Sequence, residues 1–161
     1  MRQRLLAFVV VLFLSSCDTN KNEEIIIEPP GLQGDTIKLS AKEHTFNAEG
    51  GSIIITTEGS KWLIDGCYVD SSGFLSALCS EEGITENYYD FITFYCDSFG
   101  HSGILCEISK IETSWFTITR ETLQKIVFDV LPNETDKIRK VRLILSDHNY
   151  FTSIEIDQLA E

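Results

Sequence analysis

The chain has 161 residues, with 13 Lys and Arg against 25 Asp and Glu, and its formal net charge is −12. This length suits one domain with a short extension, and the acidity excludes nucleic acid as a partner because acidic surfaces repel phosphate backbones. The sequence has no phosphate-binding glycine loop, no His-Glu-x-x-His pair and no Gly-x-Ser-x-Gly elbow. We therefore expect a non-enzymatic protein without a metal or a cofactor.

The first element in the chain is a short apolar run. Arg2 and Arg4 precede Leu5–Leu14, which as a helix would span roughly 15 Å, too little to cross a hydrocarbon core of about 30 Å. A basic start followed by such a run is typical of a secretory signal peptide. Leu14-Ser15-Ser16-Cys17 comes next and resembles the lipobox of bacterial lipoproteins, where a peptidase cuts before the cysteine and the thiol receives a lipid. We predict a signal peptide at residues 1–16; an ordinary signal peptide with a chance cysteine is the alternative.

Lipidation of Cys17 would place the protein on a membrane without a transmembrane helix. Several acyl chains anchor a protein stably, whereas one chain holds it only marginally. The acidic residues Asp18, Glu23 and Glu24 resemble the post-cysteine signals that send Bacteroidetes lipoproteins to the cell surface. The expectation is an outer-membrane lipoprotein of the cell envelope that is exposed at the cell surface and is bound to the membrane through its lipid anchor.

A polar tether is predicted at residues 17–36. Pro29-Pro30 favours extended, semi-rigid chain. Ile25–Ile27 interrupts the polarity and is either an added strand on the domain or a short β-prone patch. Asp35-Thr36-Ile37 resembles the O-glycosylation signal of exported Bacteroidetes proteins, which makes Thr36 a modification site unless the match is chance.

Strand signals fill residues 37–161. Alternating apolar and polar residues recur in TIKLSA, SIIITTE, QKIVFDVL, IRKVRLILS and YFTSIEID, with turn residues between them. The TRETLQK stretch is the best helical candidate and is about two turns long. One apolar face per strand is what two packed sheets require. The predicted fold is therefore all-β, an immunoglobulin-like β-sandwich of seven or more strands. Its core face is expected to carry Ile126, Phe128, Val130, Val141, Leu143, Leu145, Ile154 and Ile156, together with Phe151 or a neighbour.

Two stretches of this region resemble a BACON domain (Bacteroidetes-associated carbohydrate-binding, often N-terminal). The first is LSAKEHTFNAEGGSIIITTEGSKWLI, with the Phe-x-Ala-x-Gly-Gly turn and Trp62. The second runs from Ser114 to Gln158, where Trp115, Asn133, Arg139 and the closing Ile156-Asp157-Gln158 match the family's Trp, Asn, Arg and Ile-x-Gln. The resemblance covers residues 37–158 with one interruption. It implies an immunoglobulin-like sandwich and a role in binding carbohydrate or mucin glycans.

The interruption, residues 66–112, is predicted to be an insertion with strand structure of its own, notably in YYDFITFYC. It holds the four remaining cysteines. An even number of cysteines in an exported chain suggests two disulfides, with buried thiols and a zinc site as the alternatives. If the insertion leaves and re-enters through neighbouring strands of the resembled domain, the nested pairing Cys67–Cys106 with Cys79–Cys96 is favoured.

Aromatic side chains are the candidate ligand contacts, because sugars stack their C–H faces on aromatic rings beside polar groups. Trp62 and Trp115 lie within apolar strands, which favours a core role for both. The better candidates lie in the insertion, on a rigid scaffold that commonly displays recognition loops. They are Tyr88, Tyr89, Tyr95 and Phe99, although strand packing explains these residues better than ligand contact does. Glu86, Asp90 and Asp97 could surround calcium, but their spacing matches no known loop.

The sequence therefore predicts a lipid-anchored binding module of the cell envelope that engages glycans. The alternative is a non-enzymatic structural or assembly lipoprotein that docks another envelope protein, for example through an exposed sheet edge.

Overall fold

A computed structural model describes residues 34–77, 90–99 and 106–161, with backbone alone at 97–99 and at 106. Within these ranges the regular structure consists of nine strands: β1 (Glu43–Phe46), β2 (Gly51–Thr56), β3 (Leu63–Val69), β4 (Ile92–Phe99), β5 (Cys106–Thr113), β6 (Phe116–Thr122), β7 (Lys125–Val130), β8 (Arg139–Asp147) and β9 (Tyr150–Gln158). They form a four-stranded sheet, β1-β9-β8-β3, and a five-stranded sheet, β2-β7-β6-β5-β4. Strand β1 is parallel to β9; the other neighbours are antiparallel. The predicted all-β sandwich of two sheets is confirmed.

The core consists of the alternate apolar positions of each strand, because successive side chains of a strand point to opposite faces. In β7 and β8 the buried apolar residues are those predicted to face inward, namely Ile126, Phe128, Val130, Val141, Leu143 and Leu145. Trp62 is fully buried and Trp115 nearly so, which confirms a core position for both tryptophans. Removing this apolar surface from water, at about 25 cal/mol per Å², is the main force that holds the two sheets together.

Strand pairing decides which residue near Phe151 points inward and what structure the TRETLQK stretch adopts. In β9 the inward residues include Ile154 and Ile156, whereas Phe151 is 62% exposed on the outer side. The neighbour Thr152, which has the parity of the two isoleucines, takes the inward position. The TRETLQK stretch is not helical, because Thr122 pairs with Lys125 to close the β6–β7 hairpin.

The described parts of residues 66–112 include strands of the sandwich. They contribute the end of β3, all of β4 and most of β5, and the last two strands extend the five-stranded sheet. The strand expected within YYDFITFYC is present from Ile92 onward. Cys67 is fully buried and carries a free thiol, so the predicted Cys67–Cys106 disulfide is not formed in this structure. Cys79 lies outside the described residues, and the Cys79–Cys96 pairing stays a prediction.

The chain enters the sandwich at one end and changes sheet soon afterwards. Ile37 to Ser40 lies antiparallel beside the extension of β2, with Ser40 N donating to Thr56 O at 2.8 Å and Gly59 N donating to Ile37 O at 3.2 Å. The chain then crosses to the other sheet, where β1 joins β9. At the point of entry the Asp35 carboxylate accepts the backbone N–H groups of Ile37 and Lys38. This crossing ties the two sheets together along one edge.

Two buried amides hold the opposite end of the sandwich. The Gln158 amide nitrogen donates to Leu131 O at 2.7 Å and to Ala48 O at 3.2 Å. The Asn133 amide nitrogen donates to Lys137 O at 2.8 Å and to Leu159 O at 2.9 Å. Buried polar groups require such partners, so these two side chains connect the β1–β2 turn, the link before β8 and the end of β9.

Trp115 and Arg139 lie at the same end of the sandwich. The Arg139 guanidinium is 5.6 Å from the centroid of the Trp115 ring, and its Nη1 donates to Pro132 O at 3.3 Å. The Trp, Asn, Arg and Gln on which the sequence resemblance depends are thus gathered into one structural cluster. The amides of Asn133 and Gln158 and the guanidinium of Arg139 all donate to backbone carbonyl groups, so a role in folding explains these residue types.

Candidate functional site

Tyr95 is the sequence-predicted ligand contact whose side chain the structure describes. It lies on β4, an edge strand of the five-stranded sheet, and is 44% exposed. The Lys110 ammonium is 4.8 Å from the centroid of the Tyr95 ring. Lys110 also donates a hydrogen bond to the Glu112 carboxylate, which raises the pKa of Lys110 and lowers the pKa of Glu112. Because a paired ammonium covers one face of the ring, Tyr95 offers at most one face for stacking.

The other sequence-predicted positions can be placed only in part. Tyr88, Tyr89 and the side chain of Phe99 lie outside the described residues, as do Cys17, Cys79, Glu86 and the side chains of Asp97 and Cys106. Thr36 is partly buried, and its hydroxyl oxygen is shielded from solvent. Tyr95 is therefore the one predicted aromatic contact with a described side chain, and the grouping of the four stays a prediction.

The outer face of the four-stranded sheet carries an aromatic pair that sequence reasoning missed. Tyr68 lies on β3 and Phe74 lies just beyond it, with ring centroids 5.4 Å apart and an angle of 52° between the rings. Both remain exposed, Tyr68 by 38% and Phe74 by 44%. Large aromatic surface left in water at one place on a folded domain is typical of a binding site.

The backbone next to β3 positions Phe74. Leu75 pairs with Cys67 through two backbone hydrogen bonds of 2.8 Å, so that the chain covers this edge of the sheet. The close approach requires a glycine, since a Cβ at Gly66 would lie 2.2 Å from Leu75 O and 2.9 Å from the Phe74 ring. Gly66 thus allows the Phe74 ring to lie against the outer face beside Tyr68.

Paired charges occupy the middle of this outer face. Arg142 Nε is 3.5 Å from Glu155 Oε1, and Lys140 Nζ is 3.0 Å from Asp157 Oδ2. These four side chains come from the outward positions of β8 and β9, between the buried residues of each strand. They are largely exposed, so the pairs contribute little to stability and remain accessible to a ligand as hydrogen-bonding groups.

Two open depressions lie on the same face and share Arg142 and Glu155. One has a volume of about 500 Å³ and is lined by Lys42, Glu43, Arg142, Ile144, Phe151, Thr152, Ser153 and Glu155. The other has a volume of about 300 Å³ and is lined by Tyr68, Asp70, Lys140, Val141, Arg142, Glu155 and Asp157. The outer face of the four-stranded sheet therefore combines aromatic rings, hydrogen-bonding groups and concave surface.

The part of the chain that the structure describes contains no group of three or more His, Cys, Asp or Glu placed to hold a metal ion. A search of the same residues also finds no helix that is long and apolar enough to cross a membrane.

Comparison with known proteins defines the class of fold. No protein-family model matches the chain, and no significant match is found among curated proteins. An NMR structure of a protein from Bacteroides thetaiotaomicron is similar in fold, with a TM-score of 0.55 and 18% sequence identity, over 83% of this chain and 93% of that one. A Bacteroides ovatus GH5 xyloglucanase in complex with a XXXG heptasaccharide aligns with a TM-score of 0.37 and 13% identity, over 77% of this chain and 19% of that enzyme.

The missed residues carry a signal that is visible in hindsight. Tyr68 directly follows Cys67, so in a strand the two side chains point to opposite faces. Phe151 is an odd number of positions from Ile154 and Ile156, so it points to the face opposite theirs. A large apolar residue at the outward position of an alternating strand is the pattern that marks an exposed contact. The Tyr68–Phe74 pair, by contrast, depends on the chain folding back beside Gly66, which strand periodicity does not indicate.

Proposed function

We propose that this protein is a lipid-anchored binding module of the cell envelope that engages glycans through the outer face of its four-stranded sheet. The observation that carries the proposal is the exposed Tyr68–Phe74 pair next to the Arg142–Glu155 ion pair. Aromatic rings stack on the C–H faces of sugars, while guanidinium and carboxylate groups bond the hydroxyls. The proposed class is a non-enzymatic binding protein.

The envelope location belongs to the same proposal and is supported by the sequence. The basic start, the short apolar run and Leu14-Ser15-Ser16-Cys17 favour a signal peptide and lipidation. The ordered motif residues favour a BACON-type, immunoglobulin-like sandwich. Mass spectrometry of the mature N-terminus tests the location: a chain that begins at a triacylated Cys17 supports it, and an unmodified Cys17 or another first residue rejects it.

A glycan and mucin array tests the binding role. The full chain, purified in detergent micelles, is compared with its Tyr68→Ala and Tyr95→Ala variants, which remove a tyrosine from opposite sheets. We expect Tyr68→Ala to weaken binding about tenfold, the equivalent of ~1.4 kcal/mol of ring contact, and Tyr95→Ala to have little effect. The reverse result would place the site at the insertion, as the sequence predicts, and an array without any binding would reject the glycan role.

One observation favours the alternative role as a docking protein. Within the described part of the chain β2 is an edge strand of the five-stranded sheet, paired with Ser40 only at its end, Thr56, and Ile54 at its centre is 52% exposed. Open strand edges can pair with a strand of another protein. Envelope proteins that co-purify with the wild type and are lost with Ile54→Lys, together with no binding on the glycan array, would favour docking.

A further inference from the structure

The outer face of the four-stranded sheet presents one continuous row of side chains across all four strands. Tyr68 on β3 is opposite Arg142 on β8, Arg142 is opposite Glu155 on β9, and Glu155 is opposite Glu43 on β1. Neighbouring strands are about 4.8 Å apart, so the row extends over roughly 14 Å. A ligand that used the whole row would be longer than one sugar ring and would lie across the strands.

Carboxylates outnumber cationic groups on this surface. The two depressions are lined by the cations Lys42, Lys140 and Arg142 and by the anions Glu43, Asp70, Glu155 and Asp157. Each of the three cations already has a carboxylate within 3.5 Å, Lys42 through Asp35, Lys140 through Asp157 and Arg142 through Glu155. An anionic sugar would have to displace one of these carboxylates and would still face the remaining negative charge.

The ion pairs instead suit hydroxyl groups. A sugar hydroxyl both donates and accepts, so it can bond a carboxylate oxygen and a neighbouring guanidinium or ammonium without separating them. The Tyr68 ring at one end of the row adds a surface for the apolar face of a sugar ring. Recognition of this kind leaves the Arg142–Glu155 and Lys140–Asp157 ion pairs intact when the ligand is bound.

We infer that the ligand of this face is a neutral oligosaccharide that lies across the four strands with one sugar ring on Tyr68 and its hydroxyls bonded along Arg142, Glu155 and Glu43. This inference rests on the proposed glycan-binding function and specifies its ligand class. It excludes uronic-acid, sialylated and sulfated glycans as the preferred ligands.

Calorimetric titration of the full chain in detergent micelles tests the ligand class. The probes are neutral cello-, xylo- and manno-oligosaccharides of increasing length and, as the charged counterpart, oligogalacturonides. We expect a neutral probe to bind more tightly as it lengthens, with an affinity that changes less than about threefold between roughly 0.05 and 0.5 M salt, because salt screens charge attraction far more than stacking and neutral hydrogen bonds. Tyr68→Ala should weaken that binding about tenfold.

Glu155→Gln separates the two ligand classes by the sign of its effect. This substitution removes the negative charge that pairs with Arg142 and replaces one acceptor oxygen by an NH2 donor. We expect weaker binding of the neutral probe, because its hydroxyls lose a charged acceptor, and stronger binding of oligogalacturonide, because Arg142 is freed from its ion pair. Thermal unfolding of each variant controls for folding, and the exposure of Tyr68 and Glu155 makes large changes unexpected.

The outcomes distinguish this inference from the proposed function. Salt-sensitive binding of oligogalacturonide in preference to all neutral probes would overturn the neutral class and leave glycan binding in place. Glycan binding that Tyr68→Ala does not change would overturn the position of the ligand on this face. Absence of binding to every probe and to the array would reject the proposed function itself.

Discussion

Gly50, in the turn between β1 and β2, occupies a position that has no room for a side chain. Its φ of 73° lies in the left-handed region, and a Cβ there would lie 2.2 Å from Val130 O. Glycine is the residue that adopts this conformation without steric cost. The Glu49-Gly50-Gly51 turn predicted from the sequence is therefore required by the contact between this turn and the end of β7.

Replacing Gly50 by alanine should lower the free energy of unfolding by more than about 1 kcal/mol, because strain at positive φ adds to the clash with Val130 O. Gly73→Ala is the matched control, since nothing lies within 4 Å of a Cβ at that position. Urea denaturation followed by tryptophan fluorescence measures both variants. Equal stability of the two would contradict the close contact at Gly50.

Cys67 should be an unreactive thiol in the folded protein. Burial raises its pKa to about 12, so at pH 8 very little of the reactive thiolate is present. We expect no alkylation of Cys67 by iodoacetamide under native conditions and full alkylation in urea without a reductant, both read by peptide mass spectrometry. A Cys67 that is alkylated in urea only after reduction would instead support the disulfide predicted from the sequence.

Single residues also show which parts of the site the sequence could predict. The two tryptophans were assigned to the core because each lies in an apolar strand, and strand packing alone decides their position. Tyr68 was missed because its value as a contact comes from Phe74, six positions later, which reaches it only through the backbone pairing of Leu75 with Cys67. Such a long-range contact has no signature in local periodicity.

At the level of elements, β9 presents two different faces. Ile154 is fully buried against the opposite sheet, whereas Phe151 is 62% exposed beside the larger depression. Two apolar residues of one strand therefore have different roles, one in folding and one on the outer surface.

The Ile154→Ala variant should lose about 2–5 kcal/mol of stability, because it leaves a cavity in a packed core. The Phe151→Ala variant should stay within about 0.5 kcal/mol of the wild type, as is usual for exposed positions. Thermal unfolding by circular dichroism, with the two variants in parallel, tests the assignment. A larger loss for Phe151→Ala would mean that the β9 faces are reversed.

Strand periodicity predicted the elements well where one face is buried and less well where pairing is decided at a distance. The inward faces of β7 and β8 follow directly from alternation. The TRETLQK stretch has residues that suit a helix, but pairing between Thr122 and Lys125 makes it a hairpin, since tertiary packing overrides weak helix propensity. The long 66–112 stretch was expected to be an insertion, and the structure adds its strands β4 and β5 to a sheet.

At the level of the whole molecule, the end at which the chain enters depends on the ionisation of Asp35. Its carboxylate accepts the backbone N–H of Lys38, and this bond, with smaller contributions from Tyr150 and Lys42, holds the pKa of Asp35 below its ordinary value of 3.8 despite some opposing desolvation. A carboxyl group with a lowered pKa stabilises the folded state above its unfolded pKa, and this contribution is lost as the pH falls through the folded value.

Asp35→Ala should therefore lower the melting temperature at pH 7, and the difference from the wild type should shrink as the pH falls below 3.8. Asp136→Ala removes the same charge from an exposed position and serves as the control, with little effect at pH 7. Melting curves by circular dichroism between pH 7 and about pH 2.5 measure the difference. A difference that is constant with pH would show that Asp35 acts through its shape and not through its charge.

The length of β9 has a consequence for how the proposed ligand would lie on the domain. Strand β9 begins at Tyr150, beside Asp35, and runs for nine residues to Gln158, a rise of about 30 Å. The row from Tyr68 to Glu43 crosses this strand at Glu155. A sugar chain held along the row would therefore touch each strand at a single level and leave the rest of its length uncovered.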